Sequence, residues 1–265
     1  MSEISHIGSR HVALALMLTC ATAIAGAVFA DGAGFAAIGS TSSTGTSAVI
    51  SASLSPNRLA AKSTLRFKVR YSGDGPSGVP SPVRRALLSF PAGLTLAIPQ
   101  LSSCSVPRLR ARGASGCSPQ SDLGSGHALV VAPLGSQTLS EAISLSLFLG
   151  PPRNLQPTVE ILGQGLTPFD ERVLLSGATL SGQPPYGEEL EMLIPPIPTL
   201  PLEPDASMAS ISLDIGAPAR ARAGDANAVL VPSHCPRGGF PFAAEFTYAD
   251  GSVGNATTTI PCPNP

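Results

Sequence analysis

The chain has 265 residues and a formal net charge of −1, and only 12% of its residues are charged. This composition offers no basic surface that could follow a phosphate backbone, so we expect no nucleic-acid partner. The 27 glycines and 27 prolines favour short strands and turns over long helices.

The first thirty residues have the pattern of a secretory signal peptide. A polar start ends at Arg10, and the uncharged segment 12–30 follows it and ends in small residues. This order predicts cleavage between Ala30 and Asp31 and places the mature protein outside the cell. The alternative is a membrane anchor, because an uncleaved segment 12–30 is long enough to cross a bilayer.

Behind the signal we predict a short leader and one β domain. Residues 31–46 are rich in Gly, Ala, Ser and Thr, a composition typical of a flexible leader. Residues 47–265 are enough for a single β domain, with an alternative sub-boundary in the proline-rich segment 183–205. We interpret that segment as a stiff crossover; the alternative is an exposed, peptide-like ligand site.

A two-residue alternation dominates the rest of the chain. Residues 64–71 alternate apolar and basic side chains, and residues 240–248 carry aromatic residues or alanine at every second position. Such alternation is typical of antiparallel sheets with one buried face. The predicted class is all-β, an antiparallel β-sandwich of immunoglobulin-like or jelly-roll-like type with about eleven or twelve strands. The strand candidates are 47–55, 64–71, 84–90, 93–98, 127–133, 143–147, 157–163, 171–180, 188–194, 211–215, 227–232, 240–248 and 255–261.

The cysteines behind the signal form two local pairs, Cys104 with Cys117 and Cys235 with Cys262. Four cysteines allow three pairings, and export favours their oxidation. We prefer the local pairing because Asp250-Gly251 predicts a tight turn, and the second pair flanks the open end of that hairpin. No C-x-x-C spacing or histidine cluster accompanies the cysteines, so we predict neither a metal site nor a cofactor.

Candidates for catalysis are few. His127 lies in Gly-Ser-Gly-His-Ala without the lysine and helix of a phosphate loop. Neighbouring carboxylates occur at 170–171, at 188–191 and at Glu245 with Asp250. The chain has no tryptophan, which disfavours the sugar cleft that two glycosidase carboxyls would flank. We therefore predict no catalytic residue, and a secreted hydrolase using His127 or an acidic pair is the alternative.

Two stretches around the cysteines carry a resemblance. Residues 90–94 with Cys104, Leu109, Gly113, Cys117 and 124–126 form the first stretch, and residues 235–242 with 248–251 and 261–263 form the second. Over roughly residues 50–263 the chain resembles uncharacterised secreted proteins of actinobacteria. The resemblance implies secretion, a β-rich fold and two local disulfides, and it implies no catalytic residue or ligand.

These observations favour an exported, disulfide-stapled β protein that acts as a binding or structural module. Its partner would be a component of the cell envelope or another protein, and nothing in the sequence indicates an oligomer. The alternatives are the hydrolase and a surface protein anchored by residues 12–30.

Overall fold

The computed structural model describes residues 45–74, 78–97, 102–134, 137–165, 171–199, 204–217 and 228–263. All of them belong to the compact unit Ser42–Pro265. The predicted signal peptide, its cleavage between Ala30 and Asp31, and the leader up to residue 44 lie outside the described residues.

Thirteen strands, one α-helix and two short 3₁₀ segments are present in the described part of the chain. The strands are β1 (Ser47–Ser55), β2 (Lys62–Ser72), β3 (Val83–Pro91), β4 (Thr95–Ala97), β5 (Asp122–Leu134), β6 (Gln137–Arg153), β7 (Gln156–Gly165), β8 (Arg172–Ser181), β9 (Tyr186–Leu193), β10 (Ser207–Ile215), β11 (Ala228–Leu230), β12 (Phe240–Tyr248) and β13 (Val253–Ile260). The helix is α1 (Val106–Arg112), and the 3₁₀ segments are Gly113–Gly116 and Pro119–Ser121.

All strand pairings are antiparallel, and the strands form one sheet in the order β13-β12-β3-β9-β8-β7-β6-β5-β10-β2-β11-β4, with β1 also paired to β2. The sheet curls into a half-barrel, and β1 lies beside β13. The all-β class is confirmed, whereas the sandwich type is not. A sheet of this width curls because its strands twist, and here the concave face of a single sheet encloses the core.

The alternation of the sequence determines which side chains face the core. On β2, Leu65, Phe67 and Val69 are each 2% exposed, whereas Arg66 and Lys68 lie on the exposed convex face. The aromatic residues of β12 are buried in the same core, and the ring of Phe246 packs edge-on against Tyr71 at 5.1 Å. The predicted one-sided burial is therefore confirmed for both strands.

The C-terminal hairpin has the predicted turn. β12 and β13 pair from Phe240 opposite Ile260 to Thr247 opposite Val253. Gly251 has a φ of 82°, a left-handed conformation that glycine adopts without strain. The carboxylate of Asp250 accepts hydrogen bonds from the backbone N–H and the hydroxyl of Ser252, so the turn is held by its own side chains.

The helix α1 was not predicted, because seven residues are too few to show a helical stripe. It lies against the convex face of the sheet, where Leu109 is fully buried. Leu109 packs with Cys104, Cys117 and two outward residues of the sheet, Phe148 and Leu162, in a second apolar cluster. The segment 102–121 therefore buries part of the convex face.

The connection from β9 to β10 is a long crossover. Strands β8, β7, β6 and β5 lie between β9 and β10 in the sheet. Within its described part, the backbone N–H of Ala206 donates to the carbonyl of Ile197 at 2.8 Å. This hydrogen bond joins the residue just before β10 to the part of the crossover that follows β9.

Candidate ligand-binding site

The concave face encloses an apolar cavity of about 140 Å³, here called the upper cavity. Its wall is made of inward-facing residues from most of the strands, among them Phe67, Leu147 and Ile161. The lining residues with polar side chains are Tyr71, Thr95, Thr179, Glu188 and Glu189. Glu188 and Thr95 are exposed, so these residues mark the side on which the cavity meets solvent.

A second apolar cavity of about 170 Å³, the lower cavity, lies next to the first. Leu175 and Met208 line both cavities. The remaining wall of the lower cavity comes mainly from β5, β6 and β8, and the crossover adds Ile197 and Pro198. Two adjoining apolar spaces therefore follow the concave face, and the crossover covers one end of them.

The lower cavity contains a polar group that the alternation of β6 would not place there. Glu141 lies in the inward row of β6, between Leu139 and Ile143, and opposite Val130 of β5. Its Oε1 atom is buried and has no hydrogen-bond partner among the described residues. A buried acceptor without a partner costs about 1–3 kcal/mol. Glu171, just before β8, contributes a second carboxylate to the same cavity.

The alternation of β6 contains a signal for the inward position of Glu141. The alternation recognised at 143–147 extends backwards to Leu139, and Glu141 is the acid in its apolar row. A charged residue at an inward position is more informative than an apolar one at an outward position. The sequence does not indicate the cavities, because the apolar residues that line them have the same pattern as the residues of a filled hydrophobic core.

Both predicted cysteine pairs lie at disulfide distance. The Cα atoms of Cys104 and Cys117 are 5.5 Å apart, and those of Cys235 and Cys262 are 5.8 Å apart. The first pair fixes the segment that carries α1, and the second joins the open end of the β12–β13 hairpin. Bridges of this kind indicate an oxidising compartment and remove these four thiols as nucleophiles.

His127 lies on the convex face of β5, away from both cavities. Its neighbours in register are Ser144 on β6 and Ser212 on β10, and its side chain is exposed. The nearest acid along β10, Asp214, is bound to Arg66 with an N–O distance of 2.6 Å. His127 makes no hydrogen bond with the described residues, so the structure does not assemble a nucleophile, base and acid around it.

Three acids of the predicted acidic pairs, Glu191, Glu245 and Asp250, have separate structural partners. Arg85 of β3 lies between two strands and contacts Glu191 of β9 at 2.5 Å and Glu245 of β12 at 3.1 Å. Asp250 belongs to the hairpin turn, where hydrogen bonds from Ser252 lower the pKa of its carboxyl. Asp170 lies outside the described residues, and Glu171 lines the lower cavity.

A further acid is buried on the convex face. Glu160 of β7 is 0% exposed, and one of its carboxyl oxygens accepts a hydrogen bond from the Ser176 hydroxyl. The other oxygen lies 3.8 Å from the guanidinium of Arg153. Burial raises the pKa of Glu160 because the charged form loses its hydration. This burial was not predictable from the sequence pattern, since Glu160 occupies an outward position of its strand.

Within the described ranges no group of three or more His, Cys, Asp or Glu side chains is arranged to hold a metal ion. The same ranges contain no helix of the length and apolarity needed to cross a membrane. No protein-family model matches the chain, and no curated protein or solved structure is similar enough to count as a match.

Proposed function

We propose that the protein is an exported binding module that holds a small apolar ligand inside its curled sheet. The observation that carries this proposal is the pair of adjoining cavities of about 140 and 170 Å³ on the concave face. Each is close in size to the roughly 150 Å³ Leu, Ile and Phe-lined cavity that stays dry and takes up benzene or xenon.

The cost of leaving such space empty supports the proposal. Protein interiors are packed as densely as organic crystals and contain few voids larger than a water molecule. Apolar space that no side chain fills destabilises a fold, because the atoms that line it lose packing contacts. An apolar ligand would recover part of this free energy.

Export is the second component of the proposal. The two cysteine pairs at disulfide distance and the signal-peptide pattern of residues 1–30 both support it. The resemblance to secreted actinobacterial proteins points the same way. We infer that the ligand is collected outside the cytoplasm or from the cell envelope.

The test is a fluorescence titration of the mature domain with the apolar dye N-phenyl-1-naphthylamine. The variants Ala86→Leu and Ala128→Leu fill the upper and the lower cavity, respectively, with a larger side chain. The control Ala142→Leu makes the same change on the exposed convex face of β6. Melting curves establish that each variant is folded.

We expect saturable dye binding to the wild-type protein and to Ala142→Leu. We expect at least one of the two cavity-filling variants to bind about tenfold more weakly, a loss of about 1.4 kcal/mol. The proposal is wrong if the wild-type protein does not bind the dye, or if Ala142→Leu weakens binding as much as the cavity-filling variants do.

A further inference from the structure

The charges around the two cavities are all of one sign. Of the described residues that line them, the acidic ones are Glu188 and Glu189 at the upper cavity and Glu141 and Glu171 at the lower cavity, and Tyr71 adds a neutral hydroxyl to the upper cavity. The carboxylate of Glu189 accepts a hydrogen bond from the Ser89 hydroxyl. Among these described lining residues there is no lysine, arginine or histidine. A ligand with a carboxylate or phosphate head would therefore meet only like charges.

Among the lining residues, Glu141 is the best placed to bind the polar head group of a ligand. It projects from the inward row of β6 into the lower cavity, and its buried Oε1 has no hydrogen-bond partner among the described residues. An ionised carboxylate can only accept hydrogen bonds, so its missing partner must be a donor. A charged donor satisfies it best, because hydrogen bonds between ionised groups are about twice as strong as neutral ones.

The rest of the site suits an unbranched chain. From Glu141 the apolar wall continues past Leu175 and Met208, the two residues shared by both cavities, into the upper cavity. An aliphatic chain could follow this course with its head at the carboxylate. The crossover residues Ile197 and Pro198 lie over the same end of the site.

We propose that the ligand is a cationic amphiphile, an aliphatic chain ending in an ammonium group, and that the Glu141 carboxylate binds this ammonium. This inference rests on the proposed function, since it specifies the ligand of the same cavities. Charge complementarity selects this occupant over a fatty acid and over a neutral alcohol.

The experiment compares three ligands that share one chain. Octylamine, octan-1-ol and octanoate each compete with N-phenyl-1-naphthylamine for the mature domain at neutral pH. Glu141→Gln keeps the size of the side chain and removes its charge. Glu245→Gln is the matched control, because Glu245 lies on the convex face beside Arg85 and lines neither cavity.

We expect octylamine to displace the dye at a concentration at least tenfold lower than octanoate does. Glu141→Gln should weaken octylamine about tenfold and leave octan-1-ol and the dye within twofold, whereas Glu245→Gln should change none of them. The inference is overturned if octanoate competes as well as octylamine, or if octylamine binds Glu141→Gln as tightly as wild type. Dye binding persists in both of those cases. Loss of binding by the dye and by all three octyl compounds would instead remove the proposed function.

Discussion

Replacing each cysteine pair by alanine in turn shows whether loop-closure entropy or the burial of the sulfur atoms decides how much stability is lost. By loop closure alone, sequence separations of 13 and 27 predict losses of about 2.9 kcal/mol for Cys104–Cys117 and about 3.5 kcal/mol for Cys235–Cys262. Burial reverses this order. Cys104 and Cys117 are 0% and 7% exposed, whereas Cys262 is exposed.

Each buried sulfur removed from the second apolar cluster costs about 1 kcal/mol more, as a lost buried methyl group does. We therefore expect Cys104→Ala with Cys117→Ala to cost about 5 kcal/mol, and Cys235→Ala with Cys262→Ala to cost about 3.5 kcal/mol. Urea unfolding at neutral pH, followed by circular dichroism, measures both losses. A loss at the hairpin pair equal to or larger than the loss at the buried pair would refute the reasoning.

Two further substitutions, Gly150→Ala and Glu160→Gln, test the surroundings of the buried Glu160 carboxyl on the convex face. Gly150→Ala should destabilise by about 3 kcal/mol in urea unfolding, because its Cβ would lie 2.2 Å from the Thr158 hydroxyl and 2.8 Å from the Glu160 carboxylate. Gly163→Ala is the control and should cost under about 1 kcal/mol, since its Cβ would come no closer than 3.3 Å to any neighbour; equal losses would contradict the assignment. Burial in the folded state raises the pKa of Glu160, so the folded protein binds a proton on this carboxyl more tightly than the unfolded chain does. The free energy of unfolding therefore falls as the pH rises from the ordinary glutamate pKa through the raised pKa. Glu160→Gln should therefore be more stable than wild type at about pH 7 and should approach it near about pH 4; a variant less stable than wild type at about pH 7 would contradict this sign.

The strands were predictable because each has a local cause. A single face of β2 or β12 is apolar, and period-two alternation survives in the sequence wherever one face of a sheet is buried. The turn at Asp250-Gly251 likewise depends on residues adjacent in the chain. These features needed no knowledge of which strands become neighbours.

The arrangement of the strands was not predictable on the same basis. Alternation shows that one face is buried, but a sandwich and a curled single sheet bury that face equally well. The difference lies in pairings such as β3 with both β9 and β12, which join distant parts of the chain. The cavities depend on this arrangement, and so does the burial of Glu160.

The position of β2 beside β10 has a consequence for how the chain reaches its fold. Val69 pairs with Ile211, so the second edge of β2 is covered only when a strand distant in the sequence pairs with it. Distant pairings of this kind slow folding, and an uncovered strand edge can recruit other chains. The convex face of β2 carries a row of three basic residues, Arg66, Lys68 and Arg70. Because like charges on facing strands disfavour pairing, we expect this basic row to disfavour association between two partly folded chains.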